Sequence, residues 1–392
     1  MLPEGWQRLP LGAIAQITSG GTPDRATPHY WGGNIPWVTT GEIQFNTITD
    51  TDEKITQDGL KNSSAKLFPP NTLLIAMYGQ GKTRGQVARL GIHAATNQAC
   101  AAIILNGGND PEFYFQVLSS HYEAIRELGN AGTQQNLNGG IIKQISVPVP
   151  PPIEQKGIAQ MIRTWDSAIA TTERLLANSH EQKRALLQSL LSDKHRKKKK
   201  LQPLPRKQAS DVFAPNSMRR NVGLELLSVM QDVGVVPRSS LARKVAMPEG
   251  STDGYKLVEP GDFVISLRSF EGGLEYSRYA GLVSPAYTVL KAKRKIDDDF
   301  YRHYFKSREF IGRLSVAVIG IRDGKQISYE DFSFLRIPTP TIDEQKRISK
   351  ALNLAEAIIA RHKSELEKLR NEKAGLMQQL LTGKRRVKVA NA

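Results

Sequence analysis

Mostly apolar residues recur along two stretches of the chain at alternating spacings of four and three. In the first stretch these positions are Ile158, Ile162, Trp165, Ile169, Thr172, Leu176, Ser179, Lys183, Leu186 and Leu190. In the second they are Ile348, Leu352, Ala355, Ile359, His362, Leu366, Leu369, Lys373, Leu376 and Leu380. This spacing predicts a long helix that buries one seam against another helix. Each helix should contain about 38 residues and extend about 57 Å, at 1.5 Å per residue.

The second stretch repeats the first at an offset of 190 residues. Val147-Pro148-Val149-Pro150 precedes Glu154-Gln155-Lys156, just as Ile337-Pro338-Thr339-Pro340 precedes Glu344-Gln345-Lys346. The alignment continues without a gap through both helical stretches, so we infer that a unit of this length was duplicated. Neither helix can bury its seam alone, and the duplication therefore predicts an antiparallel intramolecular coiled coil with pseudo-twofold symmetry.

Each long helix follows a segment of mixed secondary structure. Residues 71–76 and 261–266 predict equivalent buried strands. Residues 111–128 and 298–314 predict helices, in which Asp110 and Asp297 belong to N-terminal caps and not to a metal cluster. The predicted fold class is α+β, with two strand-rich domains joined by the long helices. The predicted segments are a first domain at 1–150, a helix at 151–194, a basic linker at 195–205, a second domain at 206–340, a helix at 341–384 and a basic tail at 385–392.

The charge balance favours an acidic partner. The chain has 54 Lys and Arg against 38 Asp and Glu, a formal net charge of +16, which suits a polyanion such as nucleic acid. No apolar run is long enough to span a bilayer and the first residues lack a signal-peptide pattern, so we expect no membrane partner and a cytoplasmic location. The lone Cys100 and the scattered histidines predict neither a disulfide nor a metal site.

Two stretches resemble catalytic motifs only loosely. Residues 76–83 end in Gly-Lys-Thr, as a phosphate-binding loop does, but residues 83–88 predict a turn into a strand and not the required helix. A Glu-x-Lys motif suits a magnesium-dependent nuclease when it lies on a strand beside a second acid. Here Glu154 with Lys156, and Glu344 with Lys346, follow prolines and open predicted helices. We therefore expect no catalytic residues in this chain.

Side chains that can hydrogen-bond base edges lie on predicted turns of both domains. Arg, Lys, Asn and Gln make such contacts in the major groove of DNA. The candidates are Gln80, Lys82, Arg84, Gln134, Gln135 and Asn136 in the first domain, and Arg268, Arg322, Lys325 and Gln326 in the second. The basic run at 194–200, which includes Lys197 and Lys198, is either a solvated linker or follows a phosphate backbone.

Several motifs together resemble the DNA-specificity subunit of type I restriction–modification enzymes. They are Pro3-Glu4-Gly5-Trp6, Ser19-Gly20-Gly21-Thr22-Pro23, Tyr30-Trp31, Asn34-Ile35-Pro36-Trp37-Val38 and the repeated entrance to the long helices. The resemblance implies two target-recognition domains, each of which reads one half of a split, asymmetric site on double-stranded DNA. It adds Thr22 to the candidate DNA contacts, and it makes Glu154, Gln155, Lys156, Glu344, Gln345 and Lys346 candidate contacts with partner subunits.

The resemblance also implies that partner subunits carry the catalysis. Two methyltransferase subunits would bring S-adenosylmethionine, and two motor-nuclease subunits would bring ATP and magnesium, so this chain would hold no cofactor. Two other hypotheses remain open at this point. One is an autonomous metal-dependent nuclease that uses Glu154 and Lys156 or Glu344 and Lys346. The other is a coiled-coil scaffold that binds DNA without sequence preference.

Overall fold

The computed structural model describes residues 2–79, 81–129, 136–198, 202–219, 223–231, 233–241, 253–318 and 327–387. The chain divides into two compact units: the first is Met1–Thr171 with Leu366–Ala392, and the second is Thr172–Glu365. This division differs from the predicted linear segments because each domain shares its core with parts of both long helices. In the first unit, for example, Ile158 and Leu380 belong to the same apolar cluster as Trp6.

The first unit is rich in short strands. Its strands are β1 (Gln7–Pro10), β2 (Ala15–Ser19), β3 (Trp31–Val38), β4 (Thr47–Ile48), β5 (Glu53–Ile55), β6 (Leu67–Phe68), β7 (Leu73–Ala76), β8 (Val87–Leu90), β9 (Ala94–Thr96), β10 (Cys100–Leu105) and β11 (Ser146–Val149). Its helices are α1 (Leu11–Ile14), α2 (Gln57–Lys61), α3 (Pro111–Ser120), α4 (Tyr122–Leu128) and α5 (Gly139–Lys143), with 3₁₀ turns at Pro28–Tyr30 and Thr40–Glu42. The long helix α6 (Pro152–Leu191) begins in this unit.

Two sheets organise the first unit. One has the strand order β2-β10-β7-β8-β4 and the other β5-β3-β9-β6, while β1 and β11 form a separate ladder. Neighbouring strands are antiparallel except in the pairs β3/β9 and β4/β8. All four residues of β7 are buried, as the apolar run at 71–76 predicts. The larger sheet and helix α3 share a core that includes Ile75 and Phe113.

The second unit contains a similar set of elements. Its strands are β12 (Arg206–Gln208), β13 (Phe213–Asn216), β14 (Leu227–Met230), β15 (Gly234–Pro237), β16 (Lys256–Val258), β17 (Phe263–Ile265), β18 (Glu275–Tyr276), β19 (Gly281–Val283), β20 (Thr288–Ala292) and β21 (Arg336–Pro338). Its helices are α7 (Asp193–Lys198), α8 (Ser269–Gly272), α9 (Asp298–Tyr304), α10 (Arg308–Val318), α11 (Tyr329–Ser333) and the start of α12 (Ile342–Leu380), with 3₁₀ turns at Ala209–Asp211 and Arg238–Ser240.

The main sheet of the second unit repeats the strand order of the first. It has the order β13-β20-β17-β18, which matches β2-β10-β7-β8, and the ladder β12/β21 matches β1/β11. The core beside this sheet is largely aromatic: Phe305 lies 5.0 Å from Phe263 and 4.7 Å from Phe310, measured between ring centroids. Such edge and tilted ring contacts add to the stabilisation from burial of the rings.

Both domains cap an equivalent helix with an aspartate. The Asp110 side chain accepts a hydrogen bond from the backbone N–H of Phe113 at 2.9 Å, and Asp297 accepts one from Phe300 at 2.9 Å. The predicted capping role of these carboxylates is confirmed. Each predicted helix is, however, divided into two: α3 and α4 replace the helix predicted at 111–128, and α9 and α10 replace the one predicted at 298–314.

The two long helices are antiparallel within each unit. The seam positions of α6 and α12 are all buried or half-buried, as the four-three spacing predicts. Asp166 pairs with Lys373 at 2.5 Å in the first unit, and Glu356 pairs with Lys183 at 2.6 Å in the second. The two acids lie 190 residues apart in sequence, and so do the two lysines. The duplication is therefore visible in the contacts as well as in the sequence.

A second repeated ion pair joins the first turn of each long helix to an arginine in the segment that follows the C-terminal end of the other long helix. Glu154 pairs with Arg386 in the first unit, and Glu344 pairs with Arg196 at 2.7 Å in the second. Arg196 lies in α7 and is only 5% exposed, although the sequence predicts a basic linker at 195–205. Acidic side chains are favourable in the first turn of a helix, where Glu154 and Glu344 lie, and the arginines neutralise them there.

Candidate nucleic-acid interface

Several loops leave the larger sheet of the first unit at the same end. β2 ends at Ser19, opposite Ala101 near the start of β10, and β7 ends at Ala76, opposite Cys100. β8 begins at this end because it is antiparallel to β7, and β4 begins there as well because it runs parallel to β8. The loops at this end comprise residues 20–23, 40–46, 77–79, 81–86 and 97–99. We call these residues, together with the adjoining Asn136, the first rim.

The first rim contains four of the predicted DNA contacts, of which Lys82, Arg84 and Asn136 lie around one turn. Lys82 is exposed and Arg84 half-buried in the turn between β7 and β8. Asn136 is exposed and approaches the same turn, because the N–H of Leu137 donates to the carbonyl of Met77 at 3.1 Å. A Cβ at Gly129 would lie 3.4 Å from both Arg84 Cδ and the carbonyl carbon of Asn136. Gly129 therefore adjoins both the Arg84 side chain and the backbone of Asn136.

Helix α4 holds the backbone of this turn. The Tyr122 hydroxyl donates to the carbonyl oxygen of Lys82 at 2.6 Å, and Arg126 Nη2 donates to that of Gly81 at 2.6 Å. These hydrogen bonds fix the main chain and leave the Lys82 side chain exposed. The turn then enters β8 and not a helix, so the prediction of a turn into a strand is confirmed for the Gly-Lys-Thr stretch.

Thr22 lies on the same rim in a tightly packed loop. Its hydroxyl donates to the side-chain oxygen of Gln98 in the neighbouring rim loop. The two preceding positions have no room for a side chain. A Cβ at Gly20 would lie 2.0 Å from the carbonyl oxygen of Thr96, and a Cβ at Gly21 would lie 2.1 Å from Ser64 Oγ. Thr22 is half-buried, so its placement depends on these glycines.

Two aromatic side chains on the first rim are not predicted from the sequence. Phe45 is 40% exposed and Tyr78 is 41% exposed. Exposed aromatic rings occur on protein surfaces that contact nucleic acids, where they stack on bases or touch thymine methyl groups. Tyr78 falls inside the stretch compared with a phosphate-binding loop, but Phe45 stands alone in a loop without a periodic pattern. A sequence signal for Phe45 is absent because its exposure depends on the fold.

The second unit has an equivalent sheet end. β13 ends at Asn216, opposite Val289 in β20, and β17 ends at Ile265, opposite Thr288. The loops there comprise residues 217–219, 266–274 and 284–287, which we call the second rim. Arg268 lies on this rim and is exposed. Each domain therefore presents a predicted base-contacting side chain at the same end of its main sheet.

The remaining predicted DNA contacts lie outside the described residues. They are Gln80, Gln134, Gln135, Arg322, Lys325 and Gln326, together with the side chains of Lys197 and Lys198.

The predicted partner contacts divide into buried and exposed side chains. Lys156 and Lys346 are exposed. Glu154, Gln155 and Gln345 are 5%, 1% and 4% exposed. Glu344 is half-buried beside Arg196. The buried residues have internal roles because they bind groups of their own unit. Glu154 also accepts a hydrogen bond from Trp6 Nε1 at 3.0 Å, and its position in a helix does not suit the nuclease hypothesis.

The repeated glutamines join each long helix to its domain. The Gln155 side-chain oxygen accepts from the N–H of Asp110 at 2.8 Å, and its Nε2 donates to the carbonyl of Pro150 at 2.9 Å. Gln345 makes the same two hydrogen bonds, also at 2.8 and 2.9 Å, with the equivalent aspartate and proline of the second unit. The helix entrance thus contacts the cap of the domain helix in both units.

We predict that Gln155→Ala and Gln345→Ala each destabilise only their own unit, by about 1–3 kcal/mol, since each leaves a buried N–H and a carbonyl unpaired. All four tryptophans of the chain lie in the first unit, so tryptophan fluorescence during urea unfolding reports on that unit. Far-UV circular dichroism reports on both. The neighbouring variants Lys156→Ala and Lys346→Ala serve as controls and should change stability by less than about 0.5 kcal/mol. Equal losses for glutamine and lysine variants would contradict the prediction.

Neither a metal cluster nor a membrane span is found within the described part of the chain. No group of three or more His, Cys, Asp or Glu side chains there is arranged to hold a metal ion. No helix in that part is both long enough and apolar enough to cross a bilayer.

Comparison with known proteins finds similarity to one family. Residues 3–178 match the family described as type I restriction modification DNA specificity domain. The type I restriction enzyme MjaIX specificity subunit of Methanocaldococcus jannaschii is 26% identical over 178 residues, 44% of this chain and 40% of that protein. The MjaVIII specificity subunit of the same organism is 23% identical over a 427-position alignment, which covers 100% of this chain and 95% of that protein.

A solved structure has the same fold over nearly the whole chain. The crystal structure of the type I restriction–modification S subunit from M. genitalium aligns with a TM-score of 0.57 at 15% identity and covers 96% of both chains. The fold is that of a specificity subunit, with two mixed domains and long helices. The resemblance seen in the sequence motifs is confirmed, since residues 3–178 match this family and the fold is shared over nearly the whole chain.

Proposed function

We propose that this chain is the sequence-specific DNA-binding subunit of a type I restriction–modification complex. Each unit reads one half of a bipartite, asymmetric duplex target, and an unread spacer separates the two halves. The chain itself catalyses no reaction and directs its partner subunits to the site. The observation that supports this proposal most directly is the repeated sheet end, which carries Lys82, Arg84 and Asn136 in one unit and Arg268 in the other.

The chemistry of these side chains suits base recognition. Arg and Lys donate to the two acceptors of guanine in the major groove, and Asn pairs with the donor and acceptor of adenine. Because the two rims carry different residues, each unit would recognise a different short sequence. The excess positive charge adds affinity for the phosphate backbone that does not depend on sequence.

The proposal requires partners for the chemistry. Two methyltransferase subunits bring S-adenosylmethionine and modify the target, and two motor-nuclease subunits bring ATP and magnesium and cut unmodified DNA. The exposed Lys156 and Lys346, at equivalent positions on the long helices, are surface charges that such partners can contact. This assembly works in the cytoplasm, where foreign DNA is restricted.

A domain exchange tests the proposal. Residues 1–150 are replaced by the corresponding segment of another specificity subunit, and the methylated sequence is mapped in cells that also make the methyltransferase. We expect one half of the methylated sequence to change and the other half to stay the same. The reciprocal exchange of residues 206–340 serves as the matched control and should change only the other half. An unchanged methylated sequence after both exchanges would refute the proposal.

A further inference from the structure

Phe45 has a backbone conformation that aromatic residues rarely adopt. Its φ angle is +55°, in the left-handed region, where Gly, Asn and Asp are usual. A non-glycine residue in this region costs free energy and persists only where neighbouring contacts impose it. The large side chain at Phe45 therefore calls for an explanation other than the needs of the turn, which a glycine would satisfy better.

The surrounding contacts fix Phe45 in this conformation. Its N–H donates to the carbonyl of Val87 at the start of β8, at 2.9 Å. Gln44 and Asn46 flank Phe45, and the N–H of Gln44 donates to Asn46 Oδ1 at 2.9 Å. Gln44 Nε2 also donates to the carbonyl of Gly41 at 2.7 Å. The backbone of the loop is thus held at both ends, and the direction of the Phe45 side chain is defined.

The ring of Phe45 contacts one aromatic neighbour and is otherwise partly exposed to solvent. It packs edge-to-face on Tyr122, with 5.1 Å between the ring centroids, and is still 40% exposed. Tyr122 is the residue whose hydroxyl also binds the carbonyl of Lys82. The same tyrosine therefore positions an exposed aromatic ring and the predicted base-contacting turn on one rim.

We propose that Phe45 is a specificity-determining residue that contacts the C5-methyl group of a thymine in the half-site read by the first unit. This inference rests on the proposed function. An apolar ring at the protein surface can recognise a thymine because its methyl group is the apolar feature that the major groove presents. Lys82 and Arg84 supply polar contacts to neighbouring bases, and the ring adds selectivity for a thymine beside them.

The test combines a protein variant with a modified base. Binding of the full-length chain with its methyltransferase partner is measured on a duplex of the methylated sequence, with each thymine of one half-site replaced in turn by deoxyuridine. We expect one replacement to weaken binding about threefold to tenfold, the size expected for loss of one buried methyl group. In Phe45→Gly that replacement should have no effect, and Phe45→Tyr should retain the effect.

The thermal stability of the Phe45→Gly variant distinguishes a role of Phe45 in DNA recognition from a role in stabilising the fold. Phe45→Gly removes the ring contact with Tyr122 but also relieves the backbone conformation, so we expect the Tm of the first unit to stay unchanged. A large fall in Tm, with the deoxyuridine effect retained, would show a structural role and overturn the inference. A half-site without a methyl-sensitive thymine would also overturn it while leaving the proposed function intact. In this binding experiment, equal binding to all DNA sequences by the unmodified protein would refute the proposed function itself.

Discussion

The double variant Lys82→Ala/Arg84→Ala is expected to lower discrimination in one half of the DNA target by about thirtyfold or more, while recognition of the other half stays intact. The two side chains lie together on the first rim, and base contacts of this kind each account for about 1–3 kcal/mol of discrimination. Arg268→Ala should relax only the other half, because Arg268 lies on the second rim. Competition binding with targets altered in one half at a time measures both effects.

A variant with the same change in charge separates base recognition from general attraction to DNA. Arg8 and Lys143 are exposed and belong to elements at the opposite end of the sheet, since β1 and α5 contact α1, which precedes β2. Arg8→Ala/Lys143→Ala should weaken binding to all sequences alike, through loss of positive charge only. If both double variants lowered specific and non-specific binding by the same factor, the first rim would not read bases.

Glu356→Ala is expected to destabilise the second unit by about 2–3 kcal/mol. The Glu356 carboxylate binds Lys183 at 2.6 Å and Arg302 at 2.8 Å, and the Arg302 side chain is only 18% exposed. Removal of one partner from a largely buried ion pair leaves the other charge uncompensated, which is costly. The loss should appear in the far-UV circular dichroism of urea unfolding and not in the tryptophan fluorescence, which follows the first unit.

The equivalent residue in the duplicated unit provides the control. Asp166 binds Lys373 with the same geometry, but its side chain is 42% exposed. Asp166→Ala should therefore cost no more than about 1 kcal/mol, as exposed ion pairs usually do. Similar losses for the two variants would mean that burial does not decide the strength of this repeated contact.

Glu356 also makes the stability of the second unit depend on pH. Burial disfavours the charged form of Glu356, but hydrogen bonds from Arg302 and Lys183 outweigh it and lower the pKa of this carboxyl to about 2. Because the folded pKa lies below the usual value, the stabilisation is present at neutral pH and is lost as pH falls towards 2. Glu356→Gln should flatten this acid limb of the stability curve, measured by urea unfolding at a series of pH values.

The long helices could be predicted from sequence because a repeated four-three pattern encodes burial directly. The offset of 190 residues also located the equivalent strands at 71–76 and 261–266, whereas the aspartate caps were predictable from the acidic residues that open each domain helix. The pattern does not specify which charges meet across the two helices. Arg196 and Arg386 were assigned to a linker and a tail since they lie in runs of positive charge, and only the antiparallel packing brings them to Glu344 and Glu154.

The candidate interface was predicted less completely. Lys82, Arg84 and Asn136 could be found because the residue types that contact base edges are few. Their proximity on the first rim depends on strand pairing between distant segments, which the local sequence does not encode. Phe45 was missed for the same reason: its exposure and its left-handed backbone arise from contacts with β8 and Tyr122.

The most direct test of the central claim is base-by-base mapping of methylation in DNA from cells that make this chain together with its methyltransferase. We predict one split motif, with two short defined sequences separated by a gap of fixed length and unread bases. Its two halves should respond separately to the variants on the first and second rims. Methylation without any sequence preference, or an uninterrupted motif read by one unit alone, would contradict the account.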